Sequence, residues 1–230
     1  MTDPIHYEKR GPVARIGLDD GKANAMSVPW FEALSAALDR AEADGAGALV
    51  IAGRAGFFSG GLNLKLLPTL SKDELRHLSE TFARTMLRVH GLGLPTVAAV
   101  TGHAIAGGAV LAMACDARVL TDGAFKLQLN EVAIGIPMPR WMAFIASSVV
   151  PSHLVTDALL HARAYAPAEA LALGMASAVE KAPEAAEAAA FALAERLALL
   201  PRAAYAESKR RLRGDGAERA LAALKEEAGS

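Results

Sequence analysis

Pro95-Thr96-Val97-Ala98-Ala99-Val100-Thr101-Gly102-His103-Ala104-Ile105-Ala106-Gly107-Gly108-Ala109-Val110-Leu111-Ala112-Met113-Ala114-Cys115-Asp116 is the stretch whose reading decides the fold. From Gly91 to Cys115 there is no Asp, Glu, Lys or Arg, so length alone would allow a bilayer span. The interior argues otherwise. Pro95, Thr96, Thr101 and His103 interrupt the apolar run, and Gly91, Gly93, Gly102, Gly107 and Gly108 punctuate it. The reading is a buried strand over 96–100, a glycine-rich turn, and an apolar helix behind Gly107-Gly108. A strand that passes through glycines into a helix is a unit of α/β architecture.

Outward from that stretch the same grammar repeats. Ala48-Leu49-Val50-Ile51-Ala52 is a fully apolar strand of the buried parallel kind. Val13-Ala14-Arg15-Ile16-Gly17-Leu18 alternates like a half-buried strand and ends at the turn signal Asp19-Asp20-Gly21. Ser27 is placed to cap a helix carrying Trp30, Phe31, Leu34, Leu38 and Ala41 on one face. Ser71-Lys72-Asp73-Glu74 has capping-box spacing and opens a helix through Leu75, Leu78, Phe82, Met86 and Val89. Downstream, 116–120 and 125–129 read as strands, and helices follow over 168–174, 184–200 and 203–224. Strands alternating with helices, then helices alone, predict an α/β core over residues 1–165 and a C-terminal α-helical region over 166–230.

Composition narrows the function classes. The chain has 230 residues, 53% of them hydrophobic and 21% charged, which is enough apolar material for a large core and excludes disorder. Mean hydropathy is +0.25. Lys plus Arg number 24 against 25 Asp plus Glu, so no basic excess points to a nucleic-acid partner. The single Cys115 excludes a disulfide framework or a cysteine-cluster metal site. No i, i+4 pair occurs among the 6 histidines, and no metal is expected. No basic segment followed by an apolar one comes after Met1, so the expectation is a cytoplasmic chain with no membrane partner. The alanine-rich last third has few large apolar residues. Its helices must pack against something, with Leu193, Leu197, Leu199, Leu200 and Leu212 the candidates for an interface between copies.

The glycines invite nucleotide-binding readings, and these fail. Gly102 and Gly107 have the outer spacing of a P-loop, but Gly108 and Ala109 stand where Lys and Ser or Thr are required. Phe57-Phe58-Ser59-Gly60-Gly61 lacks the first glycine of a nucleophile elbow. Two turns remain, Phe58-Ser59-Gly60-Gly61-Leu62-Asn63-Leu64 and Gly102 to Ala109, each read as leading from a strand into a helix. Glycine lets backbone approach a ligand closely, and first-turn N–H groups are free to donate. If the two turns converged, their N–H groups would stabilise an oxyanion on a carbonyl. If not, they are tight turns required by packing. Glu131 is the only charged residue between Lys126 and Arg140. It is either a carboxylate whose pKa burial raises, suited to proton abstraction, or a strand-end group that caps a turn.

Taken together, these segments resemble the crotonase (enoyl-CoA hydratase/isomerase) family. The resemblance rests on Gly21-Lys22-Ala23-Asn24-Ala25-Met26, Phe58 to Leu64, Pro95 to Asp116 and Asn130 to Pro137, with a later similarity over Arg163 to Gly174. It implies a spiral of ββα units with a C-terminal helical region, assembled as a homotrimer or a dimer of trimers. It implies an acyl-CoA thioester substrate, with CoA present only as part of that substrate and no other cofactor. The oxyanion donors it implies are the N–H groups of Leu62 and Gly107, with Lys22, Ala23, Ala25 and Gly60 bordering the CoA portion. Lys209, in a basic run, either reaches the CoA phosphates or belongs to a solvated helix face. Hydratases of the family use two glutamates. Glu131 matches one, while Val110 stands at the other, its side chain expected to point into the cavity. A single glutamate at the Glu131 position is similar to the isomerases. The leading expectation is therefore a Δ3,Δ2-enoyl-CoA isomerase with Glu131 as base. Hydration, decarboxylation, thioester hydrolysis and non-catalytic acyl-CoA binding stand as alternatives.

Overall fold

The computed structural model describes residues 4–227, with side chains described to residue 224. The chain runs β1 (Ile5–Arg10), β2 (Val13–Leu18), α1 (Val28–Ala43), β3 (Ala48–Ala52), β4 (Gly56–Ser59), α2 (Lys72–Gly91), β5 (Thr96–Val100), β6 (Gly102–Ile105), α3 (Gly107–Ala114), β7 (Ala117–Thr121), β8 (Leu127–Gln128) and α4 (Arg140–Ser147). It continues with α5 (Val155–Leu159), β9 (Ala164–Tyr165), α6 (Pro167–Ala172), β10 (Ala178–Glu180), α7 (Pro183–Ala198) and α8 (Arg202–Glu227). The strands form two sheets, and from β3 to β8 they alternate between them. The larger is ordered β1-β2-β3-β5-β7-β10 and the smaller β4-β6-β8-β9. β2, β3, β5, β7 and β10 are parallel neighbours, and only β1 runs against them. From β3 to β8 each turn of the chain thus lays one strand in each sheet, with α2 and α3 between successive turns. This is the expected spiral of ββα units.

The fully apolar strands have a simple cause: the large sheet is covered on both faces. Leu49 and Ile51 of β3 point into the main core, while Ala48, Val50 and Ala52 point into a second core. That second core is closed by α7, whose Ala186, Ala190 and Ala194 are fully buried against β3, β5 and β7. Alanine at i, i+4 and i+8 makes one flat helical stripe that lets α7 approach the sheet closely.

Two expectations are corrected here. The chain beyond residue 165 is not helices alone: β10 extends the large sheet beside β7, and α7 covers it, so the spiral runs through the expected boundary between 165 and 166. The alanine-rich helix also does not wait for a second copy, because it packs on its own sheet. Leu193 and Leu197 belong to that packing, while Leu199, Leu200 and Leu212 remain exposed. β1 was not foreseen. Its half-exposed residues carry no alternation strong enough to announce it.

Within 91–115 the strand β5 and the helix α3 lie where they are expected, but the expected glycine-rich turn between them is the strand β6, paired with β4 and β8. Among the described residues no helix is long and apolar enough to cross a membrane. α2 begins with the capping box foreseen from Ser71 and Glu74: the Glu74 N–H donates to Ser71 Oγ, and the Ser71 N–H to Glu74 Oε2.

Candidate functional site

A cavity of about 240 Å³ opens between the two glycine-rich turns, α2, α4 and the segment after Glu131. Its wall includes Gly60, Leu62, Gly107 and Glu131, so four of the expected site residues come together. The turns touch. A Cβ built on Gly61 would lie 3.0 Å from Gly107 N and 3.0 Å from Ala106 Cβ, and Gly61 has φ +85°. Only glycine permits both the conformation and the approach. At Gly108 a Cβ would collide with the Ser59 carbonyl, so the same turns are locked at a second contact.

The two backbone donors differ in origin. Gly107 opens α3, so its N–H has no acceptor within the helix and sits at the positive end of the helix dipole. Leu62 does not open a helix, contrary to expectation. After β4 it forms an isolated bridge with Met26, a short 3-10 turn follows at Leu67–Thr69, and α2 starts only at Lys72. The bonds of that bridge run from Met26 N to Gly61 O and from Asn63 N to Met26 O, which leaves the Leu62 N–H outside them.

Behind the Gly60-Gly61 turn is a scaffold that was not foreseen as such. Asn24 is fully buried with φ 50°, and its Nδ2 donates to Leu18 O, Phe57 O and Phe58 O. Ser59 Oγ donates to Asn24 O and accepts from Gly61 N. The Asp20 carboxylate accepts the N–H groups of Lys22, Asn24 and Ala25, which hold it below the usual carboxylate range although burial acts the other way. Lys22 is exposed and Ala23 and Ala25 half-buried. None of the three lines the cavity, but Ala23 O accepts from Gly60 N at 2.8 Å. The nearby Asp-Asp-Gly turn signal was the available clue to this loop.

Glu131 is 3% exposed, and neither carboxylate oxygen has a hydrogen-bond partner among the described residues. Burial pushes its pKa above the ordinary 4.5, opposed only by its own backbone N–H. Around it the wall is apolar: Leu64 and Leu67 after the first turn, Leu75, Leu78 and Phe82 from α2, Ile134 and Ile136, and Trp141 and Met142 from α4. Asn130 also lines the cavity, with its Oδ1 buried and unpartnered.

Two further expectations are corrected. Val110 is fully buried in the main core and does not line the cavity, so its side chain does not border the site as expected. It lies one helical turn beyond Gly107, where α3 is already enclosed on every side. Lys209 neither faces solvent nor projects toward a ligand. It is 5% exposed, and its Nζ donates to Asp116 Oδ2 at 2.8 Å and to Leu94 O at 3.2 Å. Arg213 joins it on Asp116 Oδ1 at 2.7 Å. Asp116 therefore anchors α8 to the core. Among the described residues no group of three or more His, Cys, Asp or Glu could hold a metal ion.

The geometry defines an apolar cavity with a buried carboxylate facing two convergent backbone turns. A family profile described as enoyl-CoA hydratase/isomerase matches residues 8–229. A Mycobacterium tuberculosis protein described as an enoyl-CoA isomerase in one structure and as a probable enoyl-CoA hydratase in another is similar in structure, with TM-scores of 0.91 and 0.92, 33% identity, and coverage of 99% of this chain and 100% or 97% of that one. An enoyl-CoA hydratase from Mycobacterium marinum gives TM-score 0.90 and 31% identity, covering 97% and 99%. Human mitochondrial enoyl-CoA delta isomerase 1 is 28% identical over 190 residues, which are 81% of this chain and 63% of the human protein. The chain belongs to the enoyl-CoA hydratase/isomerase family and is an enzyme of the crotonase fold.

Proposed function

We propose that this enzyme is a Δ3,Δ2-enoyl-CoA isomerase acting through one carboxylate. The observation that carries the reading is Glu131: among the described residues it is the only charged group in the cavity wall, and its oxygens are unpartnered. The thioester oxygen accepts hydrogen bonds from the Leu62 and Gly107 N–H groups, which lowers the cost of an enolate. Each donor is worth about 3 kcal/mol in the transition state. Glu131 takes a proton from C2 and, as the conjugate acid, returns it at C4. The double bond moves from C3 to C2 with no group beyond the substrate's own CoA, whose exit lies past Gly60 toward Lys22, Ala23 and Ala25. We also propose that copies assemble as a trimer or dimer of trimers.

Hydration is the second reading. In its favour, Asn130 Oδ1 and the Glu131 carboxylate are two acceptors in one cavity, enough to hold both hydrogens of a water. The test is to supply 3-enoyl-CoA and crotonyl-CoA separately and follow 2-enoyl-CoA formation from the first and absorbance loss from the second. Rapid isomerisation with slow hydration supports the proposal. Brisk hydration of crotonyl-CoA overturns it in favour of the second reading.

A further inference from the structure

Ala106 holds a backbone conformation that residues with a Cβ rarely adopt, φ 50° and ψ −123°. A glycine would adopt it without steric cost, yet alanine occupies the position. Two hydrogen bonds impose the conformation: the Ala106 N–H donates to Gln128 O at 2.8 Å, and its carbonyl accepts from Val110 N at 3.0 Å. The peptide unit after Ala106 carries the Gly107 N–H, so the torsion at Ala106 sets where that N–H points. Its methyl faces the other turn, against the space that Gly61 leaves by having no side chain. Ala106 also lines the cavity that holds the unpartnered Glu131 carboxylate.

We propose that Ala106 is a positioning residue, whose strained backbone and methyl wedged against Gly61 hold the Gly107 N–H in register with the Leu62 N–H, so that both meet one thioester oxygen. Strain of this kind persists where the surrounding structure over-determines it, and here it lies at the junction of the two donors. The methyl is a spacer. Without it the turns are free to shift by a fraction of an ångström, and donor placement is sensitive on that scale. The inference rests on the oxyanion part of the proposed function and not on which proton transfer follows.

The test compares the parent with Ala106→Gly and Ala106→Ser. It reads kcat and KM, the melting temperature, and the carbonyl stretch of bound butyryl-CoA by Raman difference. The expected result is a downshifted carbonyl in the parent and a smaller downshift in Ala106→Gly. The glycine variant should lose kcat about tenfold while KM stays within about twofold, as for a loss made in the transition state. Its melting should not fall in proportion, since glycine relieves the strain. Ala106→Ser, which restores the Cβ, should recover most of the loss. A parental carbonyl shift and kcat in Ala106→Gly overturn the inference. So does a parallel fall of kcat, KM and melting that serine does not rescue. An unshifted carbonyl in the parent overturns the oxyanion reading and this inference with it, whereas a shifted carbonyl without isomerisation counts against the isomerase reading alone. An Ala106→Gly that does not fold also overturns the inference, because the methyl would then hold the fold itself and not only the placement of the donors.

Discussion

Glu131→Gln separates stability from turnover, because the substitution keeps the size of the side chain and removes only its charge. The parent residue is 3% exposed and its carboxylate oxygens have no partner among the described residues, so folding desolvates an ionised group with little to compensate it. Burial raises its pKa from 4.5, and each unit of upward shift corresponds to about 1.4 kcal/mol. The sign follows directly. A carboxyl whose folded pKa lies above its unfolded one reduces stability at neutral pH, and this loss is recovered as pH falls through the folded value. Glutamine never ionises, so the variant should be at least as stable as the parent at pH 7. Each kcal/mol gained should appear as roughly 2–4 °C in Tm for a chain of this size. Turnover should move the other way, by about 100-fold or more, the order expected for loss of a general base. The assay is conversion of 3-enoyl-CoA to 2-enoyl-CoA beside a thermal melt. In the parent, kcat/KM should fall on the acid side with a midpoint above 4.5, since the raised pKa keeps the base protonated to higher pH. Parental turnover in the variant would refute Glu131 as the base. A variant melting well below the parent would refute the picture of an uncompensated buried charge.

Asp116→Asn should destabilise the protein by about 3–5 kcal/mol in urea at pH 7, because it leaves the buried Lys209 and half-buried Arg213 without their counter-charge. Burial would raise the Asp116 pKa, but Lys209 and Arg213 outweigh it and hold the carboxyl below 3.8. The parent should therefore keep this contribution above the unfolded pKa and lose it as pH falls through the lower folded value, while the variant loses nothing there. Ala190→Leu should cost about 1–3 kcal/mol by overpacking the contact between α7 and the sheet, read as a lowered Tm. An unchanged Tm would show that α7 is not tightly seated. Light scattering at micromolar concentration should give the mass of a trimer or hexamer, and a monomer mass would defeat that proposal.

Legibility in the sequence followed how local the cause was. The apolar strands β3 and β5, the capped start of α2 and the short helix α3 are each written within a few residues, and each lies where periodicity and capping placed it. Three of the failures share one origin. β10, the fate of the alanine stripe and the burial of Lys209 are set by partners 59 or more positions away, such as Asp116 for Lys209 and β7 for β10. A run such as Lys209-Arg210-Arg211 looks uniformly solvated in sequence. Only the fold shows that Lys209 points inward to Asp116, while Arg210 and Arg211 pair outward with Glu207.

The candidate site shows the same division in finer grain. Its residues were legible because glycines and a lone carboxylate in an apolar stretch are unusual wherever they stand. Its geometry was not, because it depends on backbone torsions that side-chain identity does not announce. Val110 illustrates the difference. Expected to point into the cavity, Val110 instead lies inside the core, in a helix α3 whose residues are all buried. The consequence for reaction choice survives in altered form. On the proposed isomerase reading, the feature that would disfavour water addition is not a valine facing the substrate but the lack, among the described residues, of a second charged group in the cavity wall. A carboxylate introduced at Val110 would have to find room in a packed helix before it could reach a water. Selection between proton transfer and hydration therefore falls to Glu131, to the neighbouring Asn130 Oδ1, and to how closely the apolar wall from α2 and α4 shuts on the bound acyl chain.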